Sequence, residues 1–382
     1  MSSARWRTTG RRAEGTRGIL RRVALLALLS GITGTAHGQA DIVLPRGFRI
    51  ETFASGLGPA RFMALSPQGD LLVSITRQGK VLALPDRDGD GRADRISTVL
   101  EGLDLPHGLA LHQGFLYVAE TGRVIRYRYD PDQAKAEGPP QAIVPAVPKG
   151  RGHFTRTIVF GPDGKLYLSV GSSCNVCVEK DPRRAAIVRY NADGSGEELF
   201  ATGLRNAVGI LWHPGTRQLW ATNNGRDWLG DDLPPEYITI VKEGAFYGWP
   251  HCYARQGKVV LDPEFGQADR CRQMTLPTVE IQAHSAPLGL ALYAGRQFPE
   301  EYRGNLFVAL HGSWNRSVPT GYKVIRIKLN GDQVQKVEDF ATGWLEGTRA
   351  WGRPVDLLVA PDGSLFLSDD RQGVIYRIRY AP

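Results

Sequence analysis

This chain lacks long amphipathic helical periodicity, and its one sustained apolar run, residues 23–36 (VALLALLSGITGTA), is too short to span a bilayer comfortably. No other segment could cross a membrane as a helix. No glycine-rich nicotinamide fingerprint is present, and Cys174-Asn-Val-Cys177 is not followed by histidine, which excludes a c-type haem attachment. Its 45 glycines and 24 prolines are about 18% of the 382 residues, too many for a helical bundle and without the short period of collagen. The chain is long enough to bury a sizeable core.

Charge of one sign is scarce once it is located. The formal charge of +8 invites nucleic acid or an anionic membrane as partner. Residues 1–40, however, hold seven arginines against one acid, Glu14, and residues 41–382 carry 40 basic and 38 acidic residues. A basic stretch, a short apolar run and small residues near 36–40 form the pattern of a secretory signal. Residues 1–40 are therefore expected to be an export leader, cleaved after about 36–40, with an uncleaved anchor as the alternative. Residues 41–382 are expected to be a single domain that is periplasmic or secreted, binds no nucleic acid and makes no stable membrane insertion.

Export permits disulfides among the four cysteines. Local spacing favours Cys174–Cys177 and Cys252–Cys271 among three connectivities. The competing zinc site lacks a second nearby ligand pair.

A repeat fills the rest of the chain. Short apolar runs recur as DLLVS, FLYVA, KLYLS, QLWAT, NLFVA and SLFLS, with Leu71, Leu116, Leu166, Leu219, Leu306 and Leu365 spaced 45, 50, 53, 87 and 59 residues apart. One apolar run precedes each of them and another follows most. Ser66-Pro-Gln-Gly69, Gly161-Pro-Asp-Gly164 and Ala360-Pro-Asp-Gly363 fall between first and second runs as hairpin turns. Six units of about four strands predict an all-β, six-bladed β-propeller with four-stranded antiparallel blades. The segment near Phe48–Phe53 should complete the last blade, and the 87-residue step marks an insertion around residues 242–286 holding Cys252 and Cys271.

In a propeller, loops leading into the innermost strand share a face with those joining strands two and three. The first set holds Arg61, His107, His153 with Arg156, Arg205-Asn206, His284 and Arg353. The second holds Arg77, Glu120, Ser172–Cys174, Asn223–Asp227, His311–Arg316 and Asp369–Arg371. Arginine or histidine in nearly every unit predicts a cationic axial pocket for a small polyanion, since guanidinium forks suit carboxylates and phosphates. A histidine among cations stays neutral and can serve as a base.

Two acidic stretches suggest calcium. Asp86, Asp88, Asp90 and Asp94 take positions 1, 3, 5 and 9 of a calcium loop, with Gly91 at the sharp turn and Ser97 where the bidentate glutamate would stand. A plain Asp/Gly hairpin competes with this reading, and an ion there, on the face opposite the pocket, would be structural. Residues 223–232 (NNGRDWLGDD) lie on the pocket face and could hold a hard cation with carbonyls and carboxylates.

Taken together, RGHFTRTIVFGPDGKLYLSVGSSCNVC, FATGLRNAVGI, TNNGRDWLGDDLPPE with AFYGWP, and HGSWNRS resemble the soluble pyrroloquinoline-quinone-dependent sugar dehydrogenases, and most of all their L-sorbosone dehydrogenase branch. The resemblance covers roughly residues 44–380. It implies pyrroloquinoline quinone on the propeller axis above a calcium ion. It also implies His153 as general base, Arg205 stabilising charge on the quinone oxygen, and Asn206 and Arg353 holding the cofactor. Gly225 and Arg226 match positions whose backbone carbonyls ligate the calcium. Two positions depart from the pattern. A second carboxylate-binding arginine falls at Val355, and the cofactor lysine is missing from HGSWNRS, where His311 or Arg316 would replace it.

The activity expected is oxidation of an aldose or a sugar aldehyde such as sorbosone, with electrons leaving to an external quinone or cytochrome. The alternatives are a calcium-dependent lactonase-type hydrolase and a non-catalytic exported propeller that binds carbohydrate or protein.

Overall fold

The computed structural model describes residues 42–150 and 152–382, so the expected leader lies outside the described residues. Six four-stranded antiparallel sheets form the six blades, as the repeat predicts. Their innermost strands, Met63–Leu65, Leu109–His112, Arg156–Phe160, Ile210–Trp212, Pro287–Leu292 and Pro354–Val359, stand side by side around the axis. Phe48–Ala54 pairs with Val374–Tyr380 as the outermost strand of blade 6, so the chain closes its own ring and protects that sheet edge.

The second strands explain why the repeated runs are apolar throughout. Leu71–Ile75, Leu166–Val170, Leu219–Asn223, Leu306–Leu310 and Leu365–Asp369 are buried along their whole length, because both faces pack against neighbouring blades. Outer strands such as Lys135–Val144 are mostly exposed. The hydroxyl ending several of these runs ties blades together: Ser169 Oγ donates to Ala207 O, Thr222 Oγ to Leu288 O at 2.8 Å, and Ser368 Oγ to Arg61 O at 2.6 Å. At the ring junction the buried Asp356 carboxylate accepts the Met63 N–H at 2.9 Å.

The three expected hairpin turns share one geometry. Gly69, Gly164 and Gly363 each donate to the carbonyl three residues back, at 2.9 Å, and each has a positive φ (85°, 73° and 86°). Glycine meets that requirement without strain.

Both disulfides pair as spacing favoured, Cys174–Cys177 and Cys252–Cys271. The insertion lies inside the expected 242–286. Val279–Ile281 is the outer strand of blade 4, paired with Glu236–Val241, so the extra segment runs over 242–278. It carries a hairpin (Cys252–Arg255 with Lys258–Leu261) and the single turn Ala268–Cys271, which the second disulfide joins. Among the described residues no helix is long and apolar enough to cross a membrane.

Candidate active site

The loops leading into the innermost strands and those joining strands two and three converge, as topology requires, around an axial cavity of about 360 Å³. Its floor is apolar: Phe62, Val208, Leu288 and Val355 pack into one buried cluster across the axis. Val355, fully buried there, occupies the place where a second cofactor arginine was expected. A guanidinium among those side chains would be desolvated without a partner.

The walls are cationic. Arg61, Arg77 and Arg353 line the cavity with His153, His311 and Asn206, and Asp370 is the one carboxylate among the lining residues. Asp370 is shared three ways: Arg61 Nη1 lies at 2.6 Å, Arg353 Nε at 2.9 Å and His311 Nε2 at 3.1 Å. Burial alone would raise the Asp370 pKa, but these neighbours hold it well below the usual carboxylate range. Burial lowers the pKa of His311, so its neutral ring donates Nε2–H to the carboxylate. Arg61 Nε is buried with no protein acceptor. The cavity thus holds more cationic donors than acceptors.

His153 is fixed by its neighbours. Nδ1 lies 3.1 Å from Ser172 O and 3.0 Å from Ser172 Oγ, and that hydroxyl donates its own hydrogen to Cys174 O at 2.7 Å. Both Ser172 atoms are therefore acceptors, the proton sits on Nδ1, and Nε2 keeps a lone pair for the cavity. Burial, then the charge of Arg205, pushes the His153 pKa down to about 3. Asn206 and His153 both crowd Gly171, where a Cβ would stand 2.5 Å from Asn206 Oδ1 and 2.7 Å from His153 Cβ.

Arg205 lies outside this cavity, in a second cluster, and all five of its N–H donors meet protein acceptors. Nε reaches Asn175 O at 2.9 Å. Nη1 reaches Gly225 O at 2.6 Å and Asn224 O at 3.4 Å, and Nη2 reaches Asn175 Oδ1 at 3.0 Å and Asp227 Oδ2 at 3.1 Å. As arranged, Arg205 offers positive charge near His153 and no free donor. Asn175, which sequence reasoning missed, organises the cluster. It also accepts Trp249 Nε1 at 3.2 Å and the Asp227 N–H at 2.7 Å, and donates to Asp227 O at 3.1 Å. The Cys174–Cys177 bond closes the short loop that presents it, and leaves no thiolate for zinc.

Several other expected ligands have structural partners. The Gly225 carbonyl, proposed for calcium, already accepts from Arg205, and the Arg226 side chain pairs with Asp262 (2.8 Å) and Glu264 (2.6 Å) of the insertion. As it stands, the Gly225 carbonyl is engaged by a guanidinium, a poor neighbour for a calcium ion, while the Arg226 side chain is turned to the insertion. Arg316 does not line the cavity. It donates to Asp231 O and pairs with Asp232 at 3.1 Å. Arg156 is wholly buried and donates to His153 O, Thr155 O and Pro148 O. His284 faces Gly230 O at 2.9 Å, and His107 is buried against Phe62 with ring centroids 4.1 Å apart. On the opposite face Asp86, Asp88 and Asp94 gather ligand atoms within 4.8 Å of one another; Asp90 is not among them, and its Oδ1 accepts the Arg92 N–H at 2.8 Å.

The fold and site define a class: a six-bladed propeller with an arginine-lined axial cavity and an imidazole of fixed tautomer in its wall. The chain belongs to the TrAA12-like family, whose model matches residues 42–381. An uncharacterised protein of Borreliella burgdorferi is 28% identical over 377 residues, covering 94% of this chain and 96% of that protein. A pyrroloquinoline quinone-dependent pyranose dehydrogenase of Coprinopsis cinerea is 25% identical over 418 residues; 91% of this chain is covered, and it spans 56% of that curated relative. Among solved structures, the holo quinone domain of the Coprinopsis cinerea pyranose dehydrogenase superposes with a TM-score of 0.77 at 22% identity, covering 88% of this chain and 97% of that one. The calcium structure of a Trichoderma reesei AA12 enzyme gives 0.78 at 21% identity, over 89% and 97%. These superpositions show the shared fold.

Proposed function

We propose that the protein is a dehydrogenase that uses pyrroloquinoline quinone to oxidise an aldose or a hydrated sugar aldehyde of the sorbosone type. The observation that carries this reading is the axial cavity, where three arginines face one carboxylate beside a neutral histidine. A planar tricarboxylate fits that surplus of donors, with Arg61, Arg77 and Arg353 as its cationic partners and Asn206 and His311 beside them. The unpartnered Arg61 Nε is the clearest sign of room for an anionic acceptor. When bound, the quinone supplies a two-electron acceptor for the carbon that carries the substrate hydroxyl.

The chain supplies the proton chemistry. His153 takes the hydroxyl proton at Nε2, while Ser172 holds Nδ1–H and keeps the ring aligned. Arg205 positions through its charge, and Asn175 holds it in place. No step is assigned to calcium at Gly225 or Arg226, because Arg205 occupies the Gly225 carbonyl. The basic and apolar pattern of residues 1–40 together with two disulfides supports a periplasmic or secreted location. Electrons then pass to an external quinone or cytochrome.

The test is reconstitution of the purified protein with pyrroloquinoline quinone, followed by dye reduction against a panel of aldoses and sugar aldehydes. Cofactor-dependent turnover is expected. Failure to bind the quinone would end the dehydrogenase reading.

A further inference from the structure

We infer that the rim of the axial cavity carries a subsite for a second sugar ring, formed by Trp228 and Trp314, so that the protein takes di- or oligosaccharides in preference to single sugars. The inference rests on the reading above for where the reacting ring lies. Seven tryptophans fall among the described residues, and Trp228 and Trp314 are the two that are largely exposed, at 66% and 70%. They come from different blades yet meet edge to face, with ring centroids 5.2 Å apart and planes at 85°. Trp314 lines the axial cavity with His153 and Arg353, and Trp228 continues the surface outward from it.

These are not loosely tethered loop side chains. Asn315, next to Trp314, donates to Asp227 Oδ1 at 2.9 Å, next to Trp228. Arg316 bonds Asp231 O and pairs with Asp232, and Ser317 N donates to Asp231 Oδ1 at 3.0 Å. Trp228 itself is held at a φ of 72°, a left-handed conformation unfavourable for a bulky residue and tolerated where the surroundings enforce it. The fold therefore keeps two indoles exposed, adjacent and preorganised, which favours binding by lowering the ordering cost.

The chemistry suits a pyranose. One ring face presents C–H groups to an indole, while its hydroxyls can meet the flanking Asp231 and the exposed Asp232 carboxylate, which Arg316 holds in place. The apolar area is small: two indoles and the exposed Val318, ringed by charge. A stable protein partner needs roughly 800 Å² per side, so a sugar ring matches this patch better.

The experiment titrates the purified protein without cofactor against glucose, maltose, cellobiose and maltotriose by calorimetry, then measures turnover after reconstitution. Disaccharides should bind more tightly than glucose. Trp228→Ala should weaken disaccharide binding about tenfold and leave glucose unchanged. Trp314→Ala should weaken both, the disaccharides more, and Trp314→Phe should recover part of the loss. In turnover the same variants should raise KM for disaccharides with kcat nearly constant. Equal binding of disaccharides and glucose, or no loss in Trp228→Ala and Trp314→Ala, overturns the subsite. An increased KM confined to a protein electron acceptor would overturn it too, and would assign the rim to that acceptor. Disaccharide binding that depends on both tryptophans in a protein that never turns over would keep the subsite and remove the dehydrogenase.

Discussion

Two arginine–aspartate clusters share the same face of the propeller and are built to opposite ratios. Around Asp370, Arg61, Arg353 and His311 converge on a single carboxylate, and Arg61 keeps a buried N–H with no acceptor. Around Asp227, the five donors of Arg205 meet acceptors from Asn175, Asn224, Gly225 and Asp227. The first cluster has an electrostatic deficit that an anion can fill; the second is complete. An arginine in a motif therefore says little until its donors are counted, because a saturated guanidinium contributes field and rigidity while an unsaturated one can bind.

The comparison can be broken most sharply at the histidine that lies between the clusters. His153→Ala should cut kcat in the reconstituted dye assay by ~10²–10⁴-fold, the usual worth of a general base. A loss under tenfold would remove His153 from the chemistry. Arg353→Ala, from the unsaturated cluster, should weaken quinone affinity by roughly 10–100-fold, read by fluorescence titration, since a charge-assisted bond contributes about 1.5–3 kcal/mol.

The saturated cluster should respond through pH. His153 must be neutral to accept a proton, and its pKa lies near 3, so activity should persist as pH falls below the ordinary imidazole value of 6.5. Arg205 is the second cause of that depression, after burial. Arg205→Gln should therefore move the acid limb of kcat/KM to higher pH while affecting quinone affinity less than Arg353→Ala does. An unmoved limb would show that Arg205 acts by packing alone. The smallest effect belongs to the far face: Asp88→Asn should abolish any rise in melting temperature caused by calcium while leaving turnover unchanged.

The propeller was legible because its second strands are buried on both faces and therefore stay apolar in every blade, and because turn residues recur at fixed places. The hydroxyls ending KLYLS, QLWAT and SLFLS carried a further signal, as blade-to-blade donors. Propeller topology also directed Arg61, Arg77, His153, His311 and Arg353 toward one mouth. The same logic could not separate them from Arg156, Arg316 and His284, which stand at matching positions but turn to backbone carbonyls and, for Arg316, to Asp232 as well. Only three-dimensional neighbours decide that. Asn175 went unrecognised, and Asp370 was placed on the pocket face within 369–371 but given no role, for a related reason: single polar residues in loops announce nothing until several partners converge on them. Val355 was visible as a departure, and the apolar floor supplies its cause.

One consequence follows from how the ring closes. Arg61 and Asp370 are 309 positions apart in the chain, yet they touch where blade 1 meets the blade completed by Phe48–Ala54. A ligand gripped by Arg61 and Arg353 bridges that seam and works as a clasp. By mass action, a hundredfold excess over its dissociation constant would add about 2.7 kcal/mol against opening. Loading should then be readable without any catalysis, as slower proteolytic cutting of the closing strand.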